Sequence, residues 1–311
     1  MKNFFVVCCL VLFSIAIWSQ KPIEKFQFVN IKESISQIGV QTIIQDHHGF
    51  VWLGTSGTGL NKYDGTDYKT FKFKPNDPTS LSNNTINCSY LDNKNRLWFG
   101  TDDGLNLYDY KNDSFKRILL SEFKKNKVKV LVKSLTGDNK GNLFIGTLEL
   151  GLFKMNLDNF KVEKISCQES SLTITINALQ VDYKGKVYAG TDKGLKEFDV
   201  KTNSLRRSVF KTKVGVKSIN VPVHYLLIEK NNIWIGTTPS GLFKIKSNSK
   251  DHLFEINHFS ISQNRILSII NLPDKTVMCG TENDGLFHID ANGKILNHYL
   301  SSKSERKNIL S

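Results

Sequence analysis

The residues of this chain able to do chemistry are seven histidines, three cysteines beyond residue 19, and a scatter of carboxylates, amides and lysines between apolar runs. His47, His48, His224, His252, His258, His288 and His298 fall at no spacing that gathers metal ligands. Cys88, Cys167 and Cys279 are odd in number and far apart, which excludes a disulfide framework and a cysteine metal motif. No Gly-x-Ser-x-Gly elbow is present. A calcium loop stacks alternating oxygens, whereas DNKN at 92–95 and DYKG at 182–185 offer one carboxylate each, so Asp-x-x-Gly is read here as a turn. No catalytic residue, metal or cofactor is assigned. Glycan cleavage by scattered loop carboxylates stays as the less favoured alternative.

Binding is the better-supported chemistry. Gln37, Asn84, Lys129, Asn220, Asn264 and Arg265 precede apolar runs, and Asp102, Asp103, Lys193 and Glu282 follow Gly-Thr pairs. Amides, carboxylates and guanidinium suit the hydroxyls of a sugar; a merely solvated loop is the alternative for any one of them. FKKNKVK at 123–129 and KTKVGVK at 211–217 carry seven lysines, a candidate positive rim for an acidic ligand such as a uronate or sulfated glycan. Plain solubility is the alternative reading of those lysines.

Positioning such residues requires a frame, and the sequence shows one. Gly-Thr recurs at Gly54, Gly100, Gly146, Gly190 and Gly236, and Gly280 is likewise followed by Thr, at intervals of 46, 46, 44, 46 and 44 residues. A period in the mid-forties marks a repeat architecture. Within the second unit, TINCSYLD, LWFGT, GLNLYD and SFKRIL read as four short strands, a to d, separated by Gly, Asn and Asp turns. That is the blade of a β-propeller. Two places before the glycine stand Trp52, Trp98, Phe144, Tyr188 and Trp234, with Met278 in the last unit; these side chains are expected to fill the gaps between blades. Asp46, Asp92, Asp138 and Asp182 should bond the backbone of the a–b turn. In such a frame the d–a and b–c loops share one face, and the candidate binding residues belong to them.

Residues 1–19 read as a signal peptide, with Lys2 before an apolar run from Phe4 to Ile17 and a cut after Ser19; an uncleaved anchor is the alternative. The remaining 20–311 carries 41 Lys plus Arg against 29 Asp plus Glu, yet export argues against nucleic acid as the partner. With 40% hydrophobic residues, including 20 Phe, the chain can fill a core.

IIQDHHGFVWLGTSGTGLNKYDG at 43–65, with its poorer copies downstream, resembles the two-component regulator propeller repeat of extracytoplasmic sensors in hybrid two-component systems, chiefly of Bacteroidetes. The lead-in FQFVNIKESISQIGV at 26–40 resembles the start of those sensors. The resemblance implies a periplasmic sensor of polysaccharide fragments joined to further sensor domains, a dimer partner, a membrane helix and a kinase. No kinase motif follows residue 300, and SSKSERKNILS looks like the entry to another blade. A strand at Phe26–Ile31 would then complete a blade lacking its other strands, giving an incomplete seven-bladed ring. A six-bladed ring, and a stand-alone secreted propeller that mediates protein contacts, are the alternatives.

Overall fold

The computed structural model describes residues 39–118, 120, 129–168, 173–248 and 253–300. The signal peptide, Gln37, the 26–31 strand and most of the 123–129 lysine segment lie outside the described residues. Every regular element described is a strand. The first blade is β1 (Val40–Gln45), β2 (Val51–Thr55), β3 (Leu60–Tyr63) and β4 (Tyr68–Phe71). The second is β5 (Ile86–Leu91), β6 (Leu97–Thr101), β7 (Gly104–Asp109) and β8 (Ser114–Ile118). The third is β9 (Val132–Gly137), β10 (Asn142–Thr147), β11 (Leu152–Asn156) and β12 (Val162–Lys164). A short β13 (Ser166–Cys167) precedes β14 (Ile176–Val181), β15 (Val187–Thr191), β16 (Gly194–Asp199) and β17 (Ser204–Arg207) of the fourth. A hairpin of β18 (Phe210–Thr212) and β19 (Gly215–Lys217) leads into the fifth, β20 (Val223–Glu229), β21 (Asn232–Thr237), β22 (Leu242–Ser247) and β23 (Phe254–Phe259). The sixth is β24 (Ile266–Asn271), β25 (Val277–Thr281), β26 (Leu286–Ile289) and β27 (Ile295–Tyr299).

The blades are antiparallel sheets in sequence order, and together they make a six-bladed β-propeller. Two features depart from uniform four-stranded units. β13 continues the chain from the third blade and pairs in parallel with β17, so the fourth sheet has five strands. β18 and β19 form a separate two-stranded sheet, with β18 against β23.

The innermost strands pack side by side in the order β1, β5, β9, β14, β20, β24. The core lies between blades, as the repeated aromatics lead one to expect. Trp52 is buried among Ile86, Phe99 and Tyr108 of the next blade, Trp98 among Leu135, Leu143 and Phe153, and Phe144 among Leu179, Val187 and Phe198. Tyr188 packs with Leu226, Ile233 and Ile245, and Trp234 with Ile269, Val277 and Phe287.

The repeated glycine is the seat on which the next blade rests. A Cβ at Gly54 would lie 2.8 Å from Ile86 Cγ2, at Gly100 2.5 Å from Val132 Cγ1, and at Gly146 2.6 Å from Ile176 Cγ2. At Gly190 and Gly236 the intruding residues are Val223 and Ile266. Each of these five is the first residue of an inner strand. Among the described residues a Cβ at Gly280 would meet only Ser268 of its own sheet, and Val40, the first residue of β1, is 37% exposed. Among the described residues, then, no residue seats on Gly280 as the five inner-strand residues seat on the other glycines.

The a–b turns close the end opposite the loops. Asp46 Oδ1 accepts from the amides of His48 and Phe50 at 3.0 and 3.1 Å, and Asp92, Asp138 and Asp182 repeat this with the residues two and four further on. The second oxygen takes the indole N–H of the strand-b tryptophan, at 2.8 Å from Trp52 and 3.1 Å from Trp98. Phe144 has no such donor, and Asn142 Nδ2 supplies one to Asp138 at 2.7 Å instead. With both oxygens of Asp46, Asp92 and Asp138 bonded to N–H donors, these carboxylates serve the turn.

Candidate ligand-binding site

The residue after each glycine explains the Gly-Thr pair. Thr55, Thr101, Thr147, Thr191, Thr237 and Thr281 each donate their hydroxyl to the carbonyl of Gly59, Gly104, Gly151, Gly194, Gly241 or Gly285, at 2.7–3.1 Å. This clamp folds the b–c loop back on its own strand. Gly194 shows why glycine closes it: φ is +99°, and a Cβ would lie 2.2 Å from the Ile219 carbonyl oxygen. The loops are also bonded to those entering strand a, as in Asp102 N to Thr85 O at 3.3 Å, Asp192 N to Thr175 O at 3.2 Å and Glu282 N to Arg265 O at 2.9 Å. The d–a and b–c loops thus share one end of the molecule.

Most of the residues expected there are present, and several are engaged in holding the loops. Asn84 accepts the Phe73 amide at 2.7 Å through its side chain and the Gly59 amide at 2.9 Å through its carbonyl. Asp102 accepts from Asn87 Nδ2 at 2.9 Å. Asp103 stands 3.8 Å from Lys129, and burial pushes its carboxyl above the usual carboxylate range. Lys193 donates to the Thr173 carbonyl at 2.8 Å, Asn220 accepts from Ser218 at 3.1 Å, and Asn264 holds Asp284 at 2.9 Å. Arg265 and Glu282 lie 3.7 Å apart across the sixth blade.

The second group of expected rim lysines lies elsewhere. The 211–217 segment, expected in a loop at the ligand face, forms the β18–β19 hairpin instead. Lys213 and Val214 at its tip line a groove of about 590 Å³ with Asn231 of an a–b turn and Asn248 of a c–d turn, at the opposite end. The alternation Phe210, Val214, Val216 with lysines between them pairs as a hairpin, and buried Phe210 anchors it against Phe254.

A second cavity, of about 560 Å³, runs along the axis and is lined by the inner strands of all six blades. Its lining follows from the period of a strand. The first residue of each inner strand after the first blade seats on a glycine, so the second, Gln41, Asn87, Lys133, Asn177, His224 or Leu267, faces the axis. Five of those six are polar. Of the residues expected from sequence, Arg265 lines this channel. Lys133 and His224 were missed, although the polar residue after each β-branched start of strand a is a signal of an axial face. Burial and the neighbouring Arg265 lower the Lys133 ammonium pKa. Burial, Arg265 and Lys133 together bring His224 down to about 4, so its imidazole is neutral at neutral pH.

Residues 80–103, the start of the second blade, match the family model described as two component regulator propeller. The repeat is similar, over these residues, to that of the two-component regulator propeller. A 100-residue stretch is 29% identical to histidine kinase P4 of Formosa agariphila, covering 30% of this chain and 7% of that protein. Among solved structures, the extracellular domain of BT4673 from B. thetaiotaomicron, described as a hybrid two component system, superposes with a TM-score of 0.69 at 22% identity, over 90% of this chain and 35% of that one. The extracellular domain of BT3049, also from B. thetaiotaomicron, gives 0.53 at 18% identity over 91% and 43%. These three proteins are longer, and the chain spans less than half the length of each. Virginiamycin B lyase from Staphylococcus aureus shares the fold alone, with a TM-score of 0.63 at 10% identity over 90% of both chains.

Proposed function

We propose that this chain is the extracytoplasmic ligand-sensing propeller of a two-component signalling system, and that it binds an oligosaccharide derived from a polysaccharide. The observation that carries the reading is the division of the blade into a constant and a variable end. Asp-held turns repeat at one end, whereas amides, carboxylates and cations that differ from blade to blade gather at the loop end and along the axis. A rigid repeated frame with variable loops is where recognition is placed in folds of this kind. The similarity of the repeat to regulator propellers, and of one stretch to a histidine kinase, supports the signalling half. On this reading the chain is not itself an enzyme, and any kinase activity belongs to domains outside these residues. Export to the periplasm or beyond follows from residues 1–19 as a signal peptide.

Ligand binding at the loop face would favour one arrangement of this propeller against the domain or dimer partner next to it, and differential affinity for the two arrangements supplies the signal. A second reading, a secreted propeller that mediates protein contacts, draws on the unseated Val40 and Gly280. Transcript profiling of cells with and without this gene, grown on a panel of polysaccharides, separates the two. Loss of induction on one polysaccharide supports the sensor; unchanged induction on every polysaccharide refutes it.

A further inference from the structure

The axial channel has a feature that a generic sugar site does not require. Lys133 of the third blade, His224 of the fifth and Arg265 beside the sixth face one cavity of about 560 Å³ from three inner strands or their entry. Among the described residues no aspartate or glutamate lines it. Two b–c loop carboxylates have partners: Asp102 holds the Asn87 amide at 2.9 Å, and Glu282 approaches Arg265 at 3.7 Å from outside the lining. Among the described residues no ion pair reaches Lys133 or His224. Arg265 acts on Lys133 through its charge, and both act on His224. Lys133 and Arg265 bring like charges to one partly desolvated channel, and an anion entering it relieves their repulsion.

We propose that the axial channel is an anion-binding site in which Lys133, His224 and Arg265 receive a carboxylate or sulfate group of the ligand. Arg265 offers a planar fork of donors suited to an oxyanion, Lys133 a point charge, and the imidazole a directed N–H. The volume falls within the roughly 300–1,000 Å³ of small-molecule sites, which suits a mono- or disaccharide bearing an acidic group. An entering anion favours the charged imidazole, so binding takes up a proton at His224. The inference deepens the sensor reading and rests on it for the ligand's origin in a glycan, while the binding of an anion stands apart from signalling.

Calorimetric titration of the full chain with sodium sulfate, digalacturonate and neutral lactose, at pH 6.5 and low ionic strength, tests it. Sulfate or digalacturonate should bind and lactose should not; sulfate alone would mark a free inorganic anion, and digalacturonate a glycan acid. Lys133→Gln and Arg265→Gln should each weaken binding about tenfold or more, while Lys94→Gln, at the a–b end, should leave it unchanged. The binding heat should vary with the ionisation heat of the buffer in the wild type and cease to vary in His224→Gln. Circular dichroism checks that each variant is folded; should Lys133→Gln fail this check, Lys133→Met takes its place. Folded wild type that binds neither anion, or binding that survives both channel substitutions, would overturn the proposal, and neither result would bear on the transcript profile.

Discussion

Trp98 shows how one side chain can serve two neighbours at once. Its ring is fully buried against the third blade, while its indole N–H reaches back to Asp92, which ties the turn of its own blade. Trp98→Ala should destabilise the fold by about 3–5 kcal/mol, read as a lowered urea midpoint, and Trp98→Phe by less because the ring stays. Equal midpoints for Trp98→Ala and wild type would contradict the interblade role. His224 makes a pH prediction. Its folded value of about 4 lies below the ordinary 6.5, so between those values the unfolded chain binds more protons. Stability should therefore fall as pH drops from 6.5 towards 4, and His224→Gln should flatten that slope. Only part of this scale was legible in the sequence. The aromatics announced themselves by recurrence, but the proton-linked histidine did not, because its environment is assembled from blades far apart along the chain.

At the scale of the element, the blade is specified twice, by its turns and by its seats. Gly146→Ala would push a methyl to 2.3 Å from Ser134 Oγ and 2.6 Å from Ile176 Cγ2, so it should cost about 1–3 kcal/mol through overpacking. Among the described residues Gly280→Ala meets only Ser268, whose hydroxyl can rotate away, and it should cost less. Urea denaturation of the two variants checks the order; an equal or greater loss at Gly280 would show that its face is packed against something. The strands and turns of most blades were readable from Gly, Asn and Asp at fixed offsets from Gly-Thr. The threonine clamp was equally regular yet escaped notice, since a hydroxyl-to-carbonyl bond leaves no periodicity beyond the residue itself. The β18–β19 hairpin was read as a lysine-rich loop because a three-residue strand carries too short an alternation, and its anchor, Phe210 on Phe254, joins segments that no local pattern connects.

For the whole molecule, the period of 44 or 46 residues is enough to predict blades around an axis, since a unit that cannot bury its own face must stack on the next. What such a period leaves open is closure. Five junctions carry a β-branched residue on a glycine, and among the described residues none sits on Gly280. The ligand face was legible as an end of the molecule, through the loops that had to share it, whereas the axial channel emerges only once the inner strands stand together. The account centres on recognition of an oligosaccharide at that end or in the channel. Calorimetric titration of the full chain with a panel of neutral and acidic oligosaccharides tests this most directly, with Asp103→Ala at the loop face and Arg265→Gln in the channel as companions. Saturable binding of at least one oligosaccharide, weakened about tenfold by one of these substitutions, is the predicted result. A folded, monodisperse protein that binds none of the panel would contradict the account.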